Sequence, residues 1–365
     1  MSSPSSNRAA TGCCLGCFSV AAASAGLLTL LMIFTDTGSD GLMGGMLLAC
    51  LPVPFYTGLA LWLDRYEPEP PLLLFGAFLW GATFATFASY ILNTFNSVLL
   101  IAVLGDGASS MGAYLSAPWV EESAKGLGLL ILFLWKKDEF DGIVDGVVYA
   151  TMVALGFAMT ENIAYYGRAL HEGGGGAAGA TFILRGLLSP YSHPLFTCMT
   201  GIGLGWARQT DKLAVKILAP LGGLMMAMGL HALWNLTATI DAGLWLLSYL
   251  LIMAPTGLTL LIVVAFALAR EGNLIKLYLQ PEVDSGQLSA QDLASIVSVP
   301  GRIMFSLRAL GRSGPRGWWN AERFLHNTSE LAFLRHRVKR GLTTAEAGAE
   351  LESGQFSELF SQRKF

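Results

Sequence analysis

The sequence predicts an all-α, polytopic transmembrane helix bundle of about eight spans with a polar C-terminal tail. Three observations carry this. Hydrophobic residues make up 53% of the 365 and charged residues only 13%, against about 25% in soluble domains, which is too little charge to cover a soluble globule. Apolar stretches of about 20 residues, the length that crosses the hydrocarbon core, recur along the first three quarters of the chain. Charge is also unevenly placed: residues 1–269 carry 10 Lys/Arg and 16 Asp/Glu, and residues 270–365 carry 13 and 10.

The spans follow in order at residues 17–34, 42–63, 72–93, 113–135, 142–166, 190–207, 214–239 and 243–269. The first run is preceded by a single cation, Arg8, and reads as a retained span rather than a cleaved leader. The segment 94–105 (TFNSVLLIAVLG) is too short to cross by itself and is expected to be interfacial or re-entrant. Arg8, Arg65, Lys136, Lys137, Arg208, Lys212, Lys216 and Arg270 fall on one side of this arrangement, whereas Arg168 and Arg185 fall on the other. Positive charge marks the cytoplasmic side, so both termini are expected there, in a multi-pass protein of the plasma (inner) membrane. The domain reading is a cytoplasmic segment 1–16, a membrane domain 17–270 and a cytoplasmic tail 271–365 that is partly helical.

Within the tail, GRSGPRG (311–317) reads as a flexible hinge and 320–340 as a helix, with Phe324, Leu325, Leu331 and Leu334 at near-helical spacing. The basic run 335–340 is a candidate for contact with anionic lipid, and a simple solvated helical tail fits it equally well. The cysteines show no disulfide framework. Cys13, Cys14 and Cys17 cluster before the first span, a place for reduced thiols or for acylation or a metal. No internal repeat and no nucleic-acid motif is present. The expected partners are therefore the lipid bilayer and, for an enzyme, a membrane-anchored substrate, with no nucleic acid.

Ionisable groups inside a bilayer are costly and mark function by default. Span four contains WVEESAK (Glu121, Glu122, Lys125), span five GFAMTEN (Glu161, Asn162), span six begins YSHP (His193), and span seven contains GLHALWN (His231, Asn235). Glu121 and Lys125 stand four residues apart, as do His231 and Asn235, so each helix presents its polar groups on one stripe. With the orientation set by loop charge, all four stripes fall in the extracytoplasmic leaflet. Asp141 and Asp145 fall at the cytoplasmic start of span five and read as a helix N-terminal feature. The glycine-rich stretch 171–180 (HEGGGGAAGA) reads as a mobile connector between spans five and six, with a lid over the site as the sharper alternative.

Such a set suits a hydrolytic metal site. Catalytic zinc takes three ligands from His and carboxylates and keeps one position for water, whose pKa it lowers, while a nearby carboxylate acts as base. On this reading Glu161, His193 and His231 bind Zn2+, Glu121 is the base, Lys125 neutralises and orients Glu122, and Asn235 donates to a developing oxyanion. The soluble zinc signature HExxH is absent, so a metal-independent site in which Glu and His activate water stays open. Two other classes stay open as well: a proton-coupled transporter, which the confinement of the polar groups to one leaflet disfavours, and a non-catalytic membrane scaffold.

The order EExxK, FxxxEN, a His before span six, and HxxxN resembles the PrsW family of intramembrane proteases, related to the CAAX prenyl protease and Abi superfamily. The resemblance covers about residues 50–270 and is strongest over 141–166. It implies an intramembrane endopeptidase acting on membrane-anchored proteins near the extracytoplasmic face, as in site-1-type regulated proteolysis. It also implies that Glu121 and Glu122 are the essential glutamates of the first motif and His231 the histidine of the last. Where the wider superfamily's second motif ends in His, this chain has Glu161, which leaves a carboxylate ligand or a second acid/base residue as its implied role. Some relatives are read as metal-independent glutamate proteases.

Overall fold

The computed structural model describes the backbone of residues 4–105, 108, 110–189, 192–341, 343–355 and 359, and within these the side chains from residue 16 onward. Among the described residues there is no strand. The helices are α1 (Pro4–Cys50), α2 (Val53–Leu63), α3 (Pro71–Leu79), α4 (Thr86–Leu104), α5 (Met111–Leu115), α6 (Ala117–Trp135), α7 (Ile143–Phe182), α8 (Ser192–Arg208), α9 (Leu213–Ile240), α10 (Ala242–Ser248), α11 (Ala254–Asp284), α12 (Ala290–Ile296), α13 (Val299–Lys339) and α14 (Ala345–Gln355). They form two compact units, one of residues 1–62 with 70–258, the other of residues 63–69 with 259–365.

Five helical stretches are long and apolar enough to cross a membrane: Gly16–Leu63, Pro71–Leu104, Ile143–Arg208, Leu213–Ile240 and Ala242–Asp284; the bent pair Ala290–Ile296 and Val299–Lys339 would make six. This is fewer than the eight spans expected, for two physical reasons. Gly16–Leu63 (48 residues) and Ile143–Arg208 (66 residues) are each far longer than one crossing and each contains two of the expected spans. The α6 helix carries Glu121, Glu122 and Lys125 within 19 residues, more charge than an ordinary apolar span bears. The chain is thus an integral membrane protein built as an all-helical bundle.

Breaks inside the long helices sit at glycine. Gly38 in α1 (φ 69°, ψ −177°) and Gly174 in α7 (φ 67°, ψ −166°) leave the helical region entirely, in a conformation open to glycine because it has no Cβ. The connector expected at 171–180 is accordingly not a loop. It is helical on both sides of Gly174 and runs on through a π-helical stretch, Ile183–Leu188. Backbone near a bilayer must satisfy its own hydrogen bonds, and the alanines at 177, 178 and 180 favour doing so as helix. Nor is 94–105 a separate segment: α4 carries the helix begun at Pro71 without interruption to Leu104.

That helix passes through one π-helical stretch, Trp80–Ala85, between α3 and α4. The wide turn disturbs the i to i−4 ladder, and Thr86 Oγ1 donates to the Gly81 carbonyl at 2.7 Å. Trp80 Nε1 donates to the carbonyl of Ala124 at 2.9 Å, pinning the polar turn of α6 against the π segment.

The first half of α7 is buried on nearly every face from Val144 to Gly167 and forms the centre of the first unit. Its neighbours come close because glycines meet backbone, as small residues permit between membrane helices. A Cβ at Gly156 would overlap the Phe78 carbonyl oxygen, and one at Gly81 the Val153 carbonyl oxygen. Gly156→Leu is therefore expected to cost about 1–3 kcal/mol or more by overpacking. Thermal unfolding in detergent checks it: an unchanged midpoint would mean the two helices are not held that close.

The second unit is held by buried polar links. Arg302 donates to Ser329 Oγ at 2.7 Å and to the Arg65 carbonyl at 2.9 Å, and the Tyr66 hydroxyl donates to the Val297 carbonyl at 3.0 Å. Arg335 bridges Glu282, at 2.7 Å, and Glu352, while Arg337 pairs with Glu67. Two cations of the basic run expected to meet lipid, Arg335 and Arg337, are thus taken up in internal ion pairs. The hinge expected at 311–317 is a break at one residue, Gly314 (φ 65°), with helix on both sides. The helix expected at 320–340 is the second arm of α13. The side chains of Cys13 and Cys14 lie outside the described residues, and Cys17 and Cys50 are exposed free thiols.

Candidate active site

Four helices bring the predicted residues together. In α6, Pro118 sits in the first turn, where its missing N–H costs nothing, and the next turn carries Glu121, Glu122 and Lys125, all buried. Lys125 and Glu122 are fully inaccessible. A lysine there survives only if it is paired, and it is: Nζ lies 2.7 Å from Glu122 Oε1 and 3.8 Å from Glu121 Oε2. The ammonium also stands 3.9 Å from the centroid of the Phe157 ring, within cation–π range.

The network fixes the histidine tautomers. Lys125 Nζ is 3.0 Å from His193 Nδ1. An ammonium can only donate, so Nδ1 accepts and Nε2 carries the hydrogen, which faces Glu161 Oε2 at 3.0 Å. His231 Nδ1 lies 3.0 Å from Glu122 Oε1. A carboxylate can only accept, so Nδ1 donates and Nε2 keeps a bare lone pair. Glu122 is completed by Thr197 Oγ1, which donates at 2.9 Å. The two imidazoles stand edge to face, centroids 5.2 Å apart, and the His231 ring stacks on Phe196.

One atom is left over. Glu121 Oε1 accepts from Asn93 Nδ2 at 3.3 Å, but Glu121 Oε2 is buried with no hydrogen-bond partner. It faces the bare Nε2 of His231 at 3.9 Å. Two acceptors aimed at one another across a gap call for a cation or a proton donor between them. One ligand atom from each of Glu121, His193 and His231 all lie within 4.8 Å of one another. Glu121 Oε2 and His231 Nε2 therefore fit a metal of the kind that carboxylate and imidazole bind, with Glu122 behind His231 as the carboxylate that orients a metal-binding imidazole; His193 joins them through Nε2 when its hydrogen sits on Nδ1 instead, away from Lys125.

This ligand set differs from the expected Glu161, His193 and His231. Glu161 Oε2 is shared between His193 and the Arg185 guanidinium, and Arg185 also donates to Asn162 Oδ1 at 2.7 Å and stacks on Tyr165. Glu121 takes the place beside both histidines. Asn235 lies one turn beyond His231 as expected, but its amide donates to the Ala113 carbonyl at 2.8 Å. Asp145 is elsewhere, its Oδ2 accepting from the backbone N–H of Asp141 and Gly142 at the start of α7, as its position at a helix start suggested.

A cavity of about 90 Å³ opens over these groups, with Glu121, Glu161, His193, His231, Trp234 and Asn235 in its wall. Arg185, Asn93 and Thr197 were not singled out in the sequence. Arg185 had a signal, being the lone cation between residues 169 and 207. Thr197 had a weaker one, four residues after His193 on the same helix face.

A family model for PrsW family intramembrane metalloproteases matches residues 69–269, more than half of the chain. The chain belongs to the PrsW family. The match contains every polar motif of the site, from Glu121 to Asn235, and ends before the tail. Among relatives, the chain is 35% identical over 156 residues to "Protease PrsW" of Geobacillus kaustophilus (strain HTA426), covering 42% of this chain and 60% of that protein. It is 31% identical over 158 residues to "Protease PrsW" of Bacillus subtilis (strain 168), covering 42% and 64%. The chain thus spans less than two thirds of the curated relatives it matches. No solved structure matches it. The family is described as one of metalloproteases, which agrees in kind with the Glu–His–His group at the centre of the bundle.

Proposed function

We propose that the chain is an intramembrane endopeptidase that hydrolyses peptide bonds of membrane-anchored proteins near the extracytoplasmic face, in the manner of a site-1-type regulatory cleavage. The observation that carries this reading is the buried Glu121 Oε2, which makes no hydrogen bond, stands 3.8 Å from Lys125 Nζ and faces the bare Nε2 of His231 in the wall of a cavity. On the same reading the protein lies in the plasma (inner) membrane with both termini cytoplasmic.

Glu121, His193 and His231 would hold the metal, zinc by the softness and number of its ligands. When bound, such an ion polarises a carbonyl and lowers the pKa of a water molecule. The chain's own residues do the rest. Glu122 holds His231 by its Nδ1–H and so presents Nε2 to the cavity. Lys125 orients the His193 ring by donating to Nδ1, and its charge balances Glu122. Arg185 pairs with Glu161 at the cavity wall beside His193 Nε2 and holds its carboxylate in place. Asn235 supplies an amide at the rim, free to turn to a developing oxyanion if it releases Ala113. A second reading rests on the same atom: without a metal, Glu121 Oε2 is placed to take a proton from water directly.

The test is cleavage of a membrane-anchored reporter with a tag on each side of the bilayer, in cells and in proteoliposomes. The wild type is expected to release the extracytoplasmic tag and Glu121→Gln to leave it intact. Equal release by both would remove the proposal.

A further inference from the structure

The tail after Asp284 lies beyond the family match, and its first long helix has a face that nothing in the second unit covers. In the first arm of α13, Arg302, Ser306 and Ala309 are buried. Ile303, Met304, Leu307 and Leu310 are exposed, at 41%, 49%, 51% and 40%. At about 100° per residue these four fill an arc of about 120° next to the buried face. Arg308 and Arg312 follow on the other edge of that arc, both exposed. Past the break at Gly314 come Arg316 and the pair Trp318 and Trp319, exposed at 42% and 61%. Arg308, Arg312 and Arg316 have no ion pair among the described residues. No acidic residue occurs between Asp292 and Glu322.

We infer that the exposed residues of 303–319 in α13 bind the anionic headgroup surface of a bilayer, with Ile303, Met304, Leu307 and Leu310 entering the interface and Arg308, Arg312 and Arg316 among the phosphates. The charge decides the occupant: three unpaired arginines with no acidic neighbour match an anionic surface. The apolar arc decides against a nucleic acid, which would leave four aliphatic side chains in water. Paired tryptophans beside a basic amphipathic helix suit the boundary between headgroups and acyl chains. In the run 335–340, Arg335 and Arg337 are already held by Glu282, Glu352 and Glu67.

The experiment is hydrogen–deuterium exchange of the full chain in nanodiscs of phosphatidylcholine alone and of equal parts phosphatidylcholine and phosphatidylglycerol. Peptides from 299–320 are expected to exchange about tenfold more slowly on the anionic discs, and high salt is expected to remove the difference. In the triple variant Arg308→Gln, Arg312→Gln, Arg316→Gln the difference is expected to vanish, while peptides from 321–334 keep wild-type protection and show that the unit is folded. Equal exchange on both discs would overturn the inference. So would protection that depends on protein concentration, which assigns the face to a second copy of the chain, or protection that requires added RNA.

Discussion

Glu121→Gln is expected to lower turnover of a membrane-anchored substrate by about 10³-fold or more while leaving the fold intact, because it removes a carboxylate that serves the chemistry as ligand or base. The structural cost is small for stated reasons. Glutamine has the same shape, and its carbonyl oxygen can still accept from Asn93 Nδ2, as Glu121 Oε1 does at 3.3 Å. The oxygen that is replaced, Oε2, makes no hydrogen bond. Lys125 keeps its nearer partner, Glu122, at 2.7 Å. The amide that replaces it can turn its N–H to the bare Nε2 of His231, so the melting midpoint should hold as activity disappears. A variant that retains activity, or loses it only by unfolding, would assign Glu121 to structure.

Lys125→Met should do the opposite and strike the fold first. The side chain is completely buried and shared by Glu122, Glu121 and His193. Without it, Glu122 remains inaccessible with two neutral donors, Thr197 and His231, and no countercharge. Breaking one half of a buried pair costs about 3–5 kcal/mol, enough to unfold many proteins of ordinary stability. The double variant Glu122→Gln/Lys125→Met removes the charge with its partner and is expected to recover a large part of that loss, although not activity. Thermal unfolding of the two singles and the double in one detergent measures the coupling. Additive losses would mean that the pair does not act as a unit.

The site was legible in sequence because a bilayer makes ionisable residues conspicuous: Glu121, Glu122, Lys125, Glu161, His193 and His231 all occur in apolar surroundings, and the structure brings them into one network. What spacing does not encode is which carboxylate stands beside the histidines. Glu161 pairs with Arg185, 24 residues further on, as well as with His193, while Glu121 faces His231. Arg185 reaches the site because 175–188 is helical rather than a loop. The glycines of 171–180 suggested a mobile connector, but one residue, Gly174, absorbs the whole break. The tail shows the same limit. Arg335 and Arg337 read as a free basic run because their partners, Glu282 and Glu67, are 53 and 270 residues away.

On the proposed function, Glu121, His193 and His231 form one metal centre. The most direct measurement is elemental mass spectrometry of the purified full chain beside His193→Ala/His231→Ala, with both shown to be folded by circular dichroism. About one zinc per chain in the wild type, lost in the double variant, is the predicted result. A folded, cleavage-competent wild type that carries no metal would contradict it and leave hydrolysis to Glu121 and water.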